Sequence, residues 1–235
     1  MSDLAQPDVA PDETARLLAL RWPVHASLSP DGERLLLTTT EIEPGADHET
    51  LRLSVVRISD GAETEVPAAS DGGGDGGSTS HSAVWAPDGR GVAWCVEFDD
   101  GTSAVMVADA VDGTARLLEA SRGVAGPAVW SPDGSRLAIT ARPGTAVDRS
   151  RPYRWTRPIA AFDGLGPLDD PPQVRVIEVA TDEGRWLTAD GWRWSMPRWS
   201  PDGDRLCAVA GIDPTGRQAG QHVHLLDADP ADPAD

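Results

Sequence analysis

Apolar residues recur along this chain in a fixed arrangement around a short polar turn. A large apolar residue stands two positions before a proline, and an apolar pair stands three and five positions after a glycine. Proline presets φ at the first corner, aspartate bonds nearby amides, and glycine takes the left-handed φ that closes a hairpin. Each unit is therefore predicted to open as strand, tight turn and buried strand. The four turns are Ser29-Pro30-Asp31-Gly32, Ala86-Pro87-Asp88-Gly89, Ser131-Pro132-Asp133-Gly134 and Ser200-Pro201-Asp202-Gly203.

A second hairpin follows in most units. Alternating residues 51–58 lead to a turn at Asp60-Gly61, and residues 105–108 and 174–179 lead to similar turns. Four antiparallel strands in a repeat of roughly 40–50 residues are typical of a propeller blade. The predicted fold class is all-β, a partial propeller of about four four-stranded blades. The blades are predicted at about 22–68, 80–120, 124–190 and 194–228.

The segments outside the blades are assigned from their composition. Residues 1–21 are predicted to form a tail and a short helix that Asp12 caps, and residues 230–235 form an acidic tail. Residues 70–77 are a glycine-rich link between the first two blades. The fourth unit has a third strand at 223–227 and no fourth strand is predicted after it.

The net charge of -18 changes which partners are expected. Nucleic acids and anionic membrane surfaces need a basic face, so neither is predicted as a partner. The amino-terminal residues have no secretory pattern and no apolar run reaches the roughly 20 residues of a membrane helix, which predicts a cytoplasmic protein. Cys95 and Cys207 stand in apolar strands and are predicted to be buried thiols without a disulfide.

Most polar residues that attract attention have a structural explanation. His222 and His224 face the same side of a strand, but no further ligand with zinc spacing accompanies them, so neither a metal site nor a cofactor is predicted. The aspartate and glycine of each turn are assigned to turn formation because a catalytic pair is not needed four times. These turn residues are Asp31, Gly32, Asp88, Gly89, Asp133, Gly134, Asp202 and Gly203.

The strongest candidate for binding is a long excursion at residues 142–172, rich in proline and arginine. Arginine can grip a peptide carboxylate through two parallel hydrogen bonds, while aromatic rings pack apolar side chains. The alternative is an ordered insertion whose arginines pair with the acidic surface of the protein. The Trp192, Trp194 and Trp199 cluster is predicted to be core between blades. The predicted substrate-binding residues are Arg151, Tyr153, Arg154, Trp155 and Arg157.

The Trp-Ser-Pro-Asp-Gly-x-x-Leu repeats resemble those of the prolyl oligopeptidase family of serine peptidases, in its acylaminoacyl-peptidase-like and dipeptidyl-peptidase-like branch. The opening Leu17–Arg21 and the Phe162-Asp163-Gly164 that precedes the strand at 174–179 also resemble that family. The resemblance covers about residues 12–228. It implies an N-terminal propeller that sits over an α/β-hydrolase domain and filters peptides by size.

The chain departs from the family pattern in two respects. It has four units where the family usually has seven, and it contains no Gly-x-Ser-x-Gly elbow, so no catalytic residue is assigned. The expected function is the non-catalytic propeller portion of such a peptidase, truncated before its hydrolase domain, gating or positioning peptides and inactive alone. Its partners would be peptides and a separately encoded hydrolase half, or a second copy through exposed blade edges. The alternative is a stand-alone TolB-like propeller fragment that acts as a protein-interaction module.

Overall fold

The structure is a computed structural model, and it describes residues 20–42, 49–66, 79–98, 101–109, 115–143, 171–190, 192–211 and 221–229. These residues form three four-stranded sheets and one three-stranded sheet, and every pairing within a sheet is antiparallel. The predicted fold class, a partial propeller of about four blades, is confirmed. The predicted short amino-terminal helix lies outside the described residues.

Each sheet follows the chain from its first strand to its last, and the sheets are named here blades 1 to 4. Blade 1 comprises β1 (Trp22–Leu28), β2 (Arg34–Ile42), β3 (Glu49–Arg57) and β4 (Glu63–Glu65). Blade 2 comprises β5 (Thr79–Trp85), β6 (Gly91–Glu97), β7 (Ser103–Asp109) and β8 (Ala115–Leu118). Blade 3 comprises β9 (Val129–Trp130), β10 (Arg136–Ala141), β11 (Gln173–Glu178) and β12 (Glu183–Trp186). Blade 4 comprises β13 (Arg193–Trp199), β14 (Arg205–Gly211) and β15 (Gln221–Asp227).

The blades pack face to face, and the core lies between them. Leu36 and Val55 of blade 1 pack against Trp85 and Trp94 of blade 2, and Leu137 and similar residues of blade 3 pack on the other face of blade 2. The strands of a middle blade are apolar on both faces because each face meets a neighbouring sheet. This explains why Val92, Ala93, Trp94, Cys95 and Val96 are all buried in succession.

The first strands of neighbouring blades approach one another, β1 against β5 and β9 against β13. They are called the inner strands below. Two of them contain a residue with positive φ three positions before the tryptophan that precedes the turn, namely Ser82 at 58° and Met196 at 54°. The pairing register shifts at both points, between His81 and Val84 and between Ser195 and Arg198. A β-bulge therefore bends each of these inner strands.

Candidate functional site

The four turns between first and second strands close in the same way, and three of them add a bond from a serine hydroxyl. In blade 3, the Ser131 hydroxyl donates to Asp133 Oδ1 at 2.6 Å and accepts the Arg136 amide at 2.9 Å. Gly134 has φ 73° and its amide donates to the Ser131 carbonyl. The hydroxyl bond is the main reason that the pKa of Asp133 falls to about 2, and the same bond lowers the pKa of Asp31 and Asp202. These carboxylates are occupied in holding their turns.

Blade 2 has the same turn without the hydroxyl, because Ala86 replaces serine. Asp88 Oδ1 still accepts the Arg90 amide at 2.9 Å, and the Gly89 amide still donates to the Ala86 carbonyl at 2.9 Å. The aspartate and the glycine are thus enough to keep the turn closed in the absence of serine.

A tryptophan fastens each of two inner strands to the preceding blade. Trp85 Nε1 donates to the Ser27 carbonyl at 3.0 Å, and Trp199 Nε1 donates to the Val129 carbonyl at 3.0 Å. The acceptor in both cases is the residue immediately before the corresponding position of the preceding blade. Trp194 is buried against Val174 of blade 3, as the prediction that the tryptophans form core between blades requires.

An arginine of the preceding blade covers each of these two tryptophans. Arg34 lies 5.3 Å from the centre of the Trp85 ring and donates to the Gly89 carbonyl at 2.7 Å. Arg136 lies 4.8 Å from the Trp199 ring and donates to the Gly203 carbonyl at 2.9 Å. Each arginine stands two positions after the glycine of its own turn, and the combination is called the Arg–Trp joint below. The guanidinium bonds the next blade's turn and covers its indole together.

The joint between blades 2 and 3 is built differently. Gly91 stands where the other joints have arginine, and a Cβ there would lie 3.2 Å from Ala86 Cβ and 3.8 Å from Trp130 Cζ2. An arginine would therefore have to emerge from a crowded point. Trp130 Nε1 is buried and has no hydrogen-bond partner among the described residues. This joint lacks both polar contacts of the Arg–Trp joint.

A cleft of about 320 Å³ opens beside this joint, where three inner strands meet the turns. Val84 and Val129 precede the two tryptophans on β5 and β9, and Arg198 holds the same position on β13. Arg198 is exposed, and its Nη1 donates at 2.9 Å to the Pro197 carbonyl. The described lining residues of the cleft thus provide apolar and aromatic walls and one cation. Its lining residues are Val84, Trp85, Pro87, Pro127, Ala128, Val129, Trp130 and Arg198.

A cluster of aromatic rings lies at the end of blade 4 that is farther from the cleft. His224 packs edgewise on Trp194 at 5.2 Å and on Trp192 at 5.4 Å between ring centres, and His222 lies 6.5 Å away. The two histidines share a face, as their spacing predicts. No group of three or more side chains suited to a metal occurs within the described ranges.

The two cysteines are free and differ in environment. Cys95 is buried, and burial raises the pKa of its thiol to about 11. Cys207 is partly accessible, because it lies on the face of blade 4 that points away from blade 3. Cys95 is therefore protonated and inert at neutral pH. The prediction of a buried thiol describes Cys95 well and Cys207 less well, because blade 4 has no neighbour on that face in the described structure.

The predicted substrate-binding residues, Arg151, Tyr153, Arg154, Trp155 and Arg157, all lie outside the described residues, and their role stays a prediction. The segment that carries them connects the end of β10 to the start of β11 in blade 3. Sequence reasoning missed Arg198, whose position immediately before the Trp of its repeat was a usable signal.

No family model matches this chain. A curated relative, the uncharacterized peptidase YuxL of Bacillus subtilis, is 23% identical over 231 residues, which is 93% of this chain and 34% of YuxL. The chain therefore spans about a third of the relative's length. In the region the structure describes, no helix has the length and apolar character needed to cross a membrane.

Solved structures of two kinds have the same fold. An acylaminoacyl peptidase, solved with Z-Gly-Gly-Phe-chloromethyl ketone, has a TM-score of 0.65 at 15% identity, over 91% of this chain and 32% of that one. TolB from Acinetobacter baumannii has a TM-score of 0.51 at 16% identity, over 88% of this chain and 41% of TolB. The resemblance to propellers of the prolyl oligopeptidase family, predicted from the repeats, is confirmed.

Proposed function

We propose that this chain is the propeller portion of a serine peptidase of the prolyl oligopeptidase family, and that it positions peptides for a hydrolase domain. The peptidase relative and the acylaminoacyl peptidase propeller support this proposal. The hydrolase domain would belong to a longer form of the chain or to a separately encoded partner. A cytoplasmic location is part of the same proposal.

The observation that carries the proposal is the cleft between the inner strands. Trp85, Val129 and Trp130 supply apolar surface, and Arg198 supplies an exposed guanidinium at its margin. A guanidinium pairs with a carboxylate through two parallel hydrogen bonds, and an indole covers an apolar side chain. The arrangement suits a short peptide whose carboxyl-terminal residue is apolar, with its terminal carboxylate on Arg198.

The test is a titration of the chain with a matched pair of peptides. Gly-Gly-Phe with a free carboxylate is compared with the same peptide as its carboxyl-terminal amide, and binding is followed by the fluorescence of the cleft tryptophans. We expect the free acid to bind at least about tenfold more tightly, because the amide cannot accept two charge-assisted hydrogen bonds. The Arg198→Ala variant should remove this preference, and Arg198→Lys should recover part of it.

Arg193 provides the control, because it lies on the same inner strand at the other end. The Arg193→Ala variant should bind the free acid as the unaltered chain does. Equal binding of acid and amide, or a preference for the acid that survives Arg198→Ala, would refute a carboxylate site in this cleft. A fluorophosphonate probe for active serines is expected to leave the chain unlabelled.

The second candidate function is a protein-interaction module, and the similarity to TolB favours it. In that case the propeller would bind a protein surface and would have no need for a carboxylate. The peptide titration separates the two functions, since an interaction module predicts no Arg198-dependent preference for the free acid.

A further inference from the structure

The joint between blades 2 and 3 lacks the guanidinium that both neighbouring joints contain. In those two joints, called the closed joints below, the carbonyl of the turn glycine accepts a hydrogen bond from Arg34 or from Arg136. No described residue donates to the Gly134 carbonyl, and no guanidinium of the described residues lies over the Trp130 ring. The site defined by Trp130, Gly134 and Asp88 is called the open joint.

The closed joints show where a guanidinium would lie in the open joint. A Cβ built on the turn glycine of a closed joint would lie 3.8 Å from Arg34 Nη2 or 3.7 Å from Arg136 Nη2. A Cβ built on Gly134 would have only Pro87 Cδ, at 3.6 Å, within 4 Å among the described residues. No described atom therefore takes the place that an arginine nitrogen takes in both closed joints.

Gly91 is the reason that blade 2 supplies no arginine to the open joint. It stands two positions after Gly89, where the closed joints have arginine, and it has no side chain to extend. The arginine side chains of the closed joints are 20% and 13% exposed, so each guanidinium lies close to the protein surface. Trp130 is itself only half-buried. An arginine from another polypeptide can therefore reach the open joint from solvent.

The open joint also offers a carboxylate to a cation. In the closed joint between blades 1 and 2, Asp31 Oδ2 lies 3.5 Å from Arg34 Nη2. The equivalent residue of the open joint is Asp88, which is exposed and pairs with no described cation. Its Oδ1 accepts the Arg90 amide at 2.9 Å, which holds the carboxylate at the turn. The open joint thus offers a ring, a carbonyl and a carboxylate, the three groups that Arg34 contacts.

We propose that the open joint binds the arginine side chain of a peptide. The guanidinium lies over Trp130, donates to the Gly134 carbonyl and faces the Asp88 carboxylate. A guanidinium is planar, so it can stack on an indole and donate hydrogen bonds from its edge at the same time, which an ammonium group cannot do. The net charge of -18 attracts a cationic peptide. No free carboxylate is involved, so this inference does not depend on the carboxylate site at Arg198.

The probe is the peptide acetyl-Gly-Arg-Gly-amide, whose blocked ends leave the guanidinium as its only charge. It is compared by isothermal titration calorimetry with the same peptide containing citrulline, which has nearly the same shape and is neutral. We expect the arginine peptide to bind at least about fivefold more tightly, because citrulline loses the cation–π contact and the charge assistance of its hydrogen bonds. Because the probe has no free carboxylate, its failure to bind would leave the carboxylate site at Arg198 untouched.

Nuclear magnetic resonance of the indole N–H groups locates the bound peptide. The Trp130 signal, identified by its loss in Trp130→Phe, should shift when the arginine peptide is added. The signals of Trp85 and Trp199 should not shift, because Arg34 and Arg136 already cover those rings. These two tryptophans are therefore an internal control in the same sample.

Two variants test the site itself. Gly91→Arg gives the open joint an arginine of its own and should abolish binding of the peptide; its Cβ would lie 3.2 Å from Ala86 Cβ, so circular dichroism checks its fold. Asp88→Asn keeps an oxygen for the Arg90 amide and should weaken binding at least about twofold, whereas Asp31→Asn at a closed joint should leave binding unchanged. Equal binding of the two peptides, binding that survives in folded Gly91→Arg, or no effect of Asp88→Asn would each overturn the proposal.

Discussion

The Arg–Trp joint between blades 3 and 4 makes a quantitative prediction for Arg136→Ala. The Arg136 side chain is 13% exposed, and it donates to the Gly203 carbonyl, lies over the Trp199 ring and pairs with Asp229. Truncation to alanine removes all three contacts. The matched control is Arg205→Ala, which truncates the arginine at the equivalent position of blade 4. The Arg205 side chain is exposed, and no tryptophan of a following blade covers it among the described residues.

The magnitude follows from the individual contacts. A hydrogen bond from a charged group contributes about 1.5–3 kcal/mol, and a partly desolvated cation–π contact contributes about 0.5–2 kcal/mol. The pair with Asp229 adds little because that carboxylate is 68% exposed. Allowing for contacts that are not additive, Arg136→Ala should lower the free energy of unfolding by about 2–4 kcal/mol. Arg205→Ala should change it by less than about 0.5 kcal/mol.

The assay is urea unfolding followed by tryptophan fluorescence and by far-ultraviolet circular dichroism. A lower midpoint with an unchanged slope assigns the loss to stability and not to compactness of the denatured state. Arg136→Lys keeps the charge but not the planar group, so it should recover less than half of the loss. Equal midpoints for Arg136→Ala and Arg205→Ala would refute the joint as a source of stability.

Three further predictions concern the turns and the thiols. The pKa of Asp133 is lowered to about 2, so the stabilising effect of its carboxylate is complete above pH 4 and disappears as the pH falls through 2. The urea midpoint of unfolding should therefore drop between pH 4 and pH 2, and it should drop less in the Asp133→Asn variant. Gly61→Ala should lower the free energy of unfolding by about 1–2 kcal/mol, because alanine is strained at a φ of 71° although the space around it is open. Gly123→Ala should lower it by about 3 kcal/mol or more, because the added Cβ would also lie 2.9 Å from the Arg142 carbonyl oxygen. Equal thermal denaturation midpoints for the two variants would contradict this difference. Iodoacetamide should label Cys207 well before Cys95 in the folded chain, as mass spectrometry of the peptides would show.

The hairpins and the blades could be predicted from the sequence because their chemistry is local. Asp133 bonds an amide two residues away, and Gly134 adopts its positive φ within the same turn. The turn occurs four times, each time with a pair of apolar residues at fixed offsets. This repetition predicts propeller blades, because blades packed face to face bury those apolar residues. The assignment of the tryptophans to the core followed from the same repetition.

The interblade contacts could not be predicted, because they join residues far apart in the sequence. Arg34 and the carbonyl of Gly89 are 55 residues apart, and no local pattern states that they meet. The cleft is likewise formed by strands from three blades. Only the tertiary structure shows that Arg198 lines the same cleft as Trp85 and Trp130. The excursion that holds Arg151 and Trp155 stays a prediction.

Local hydrogen bonds and side-chain periodicity thus determined the turn, the strand order within a blade and the number of repeats. The tertiary structure decided which blade faces became buried, that two joints use arginine and one uses Gly91, and that blade 4 keeps Val223 and Leu225 exposed. The physical reason is that burial depends on a neighbouring sheet. Identical patterns in the sequence have different environments according to whether that neighbour is present.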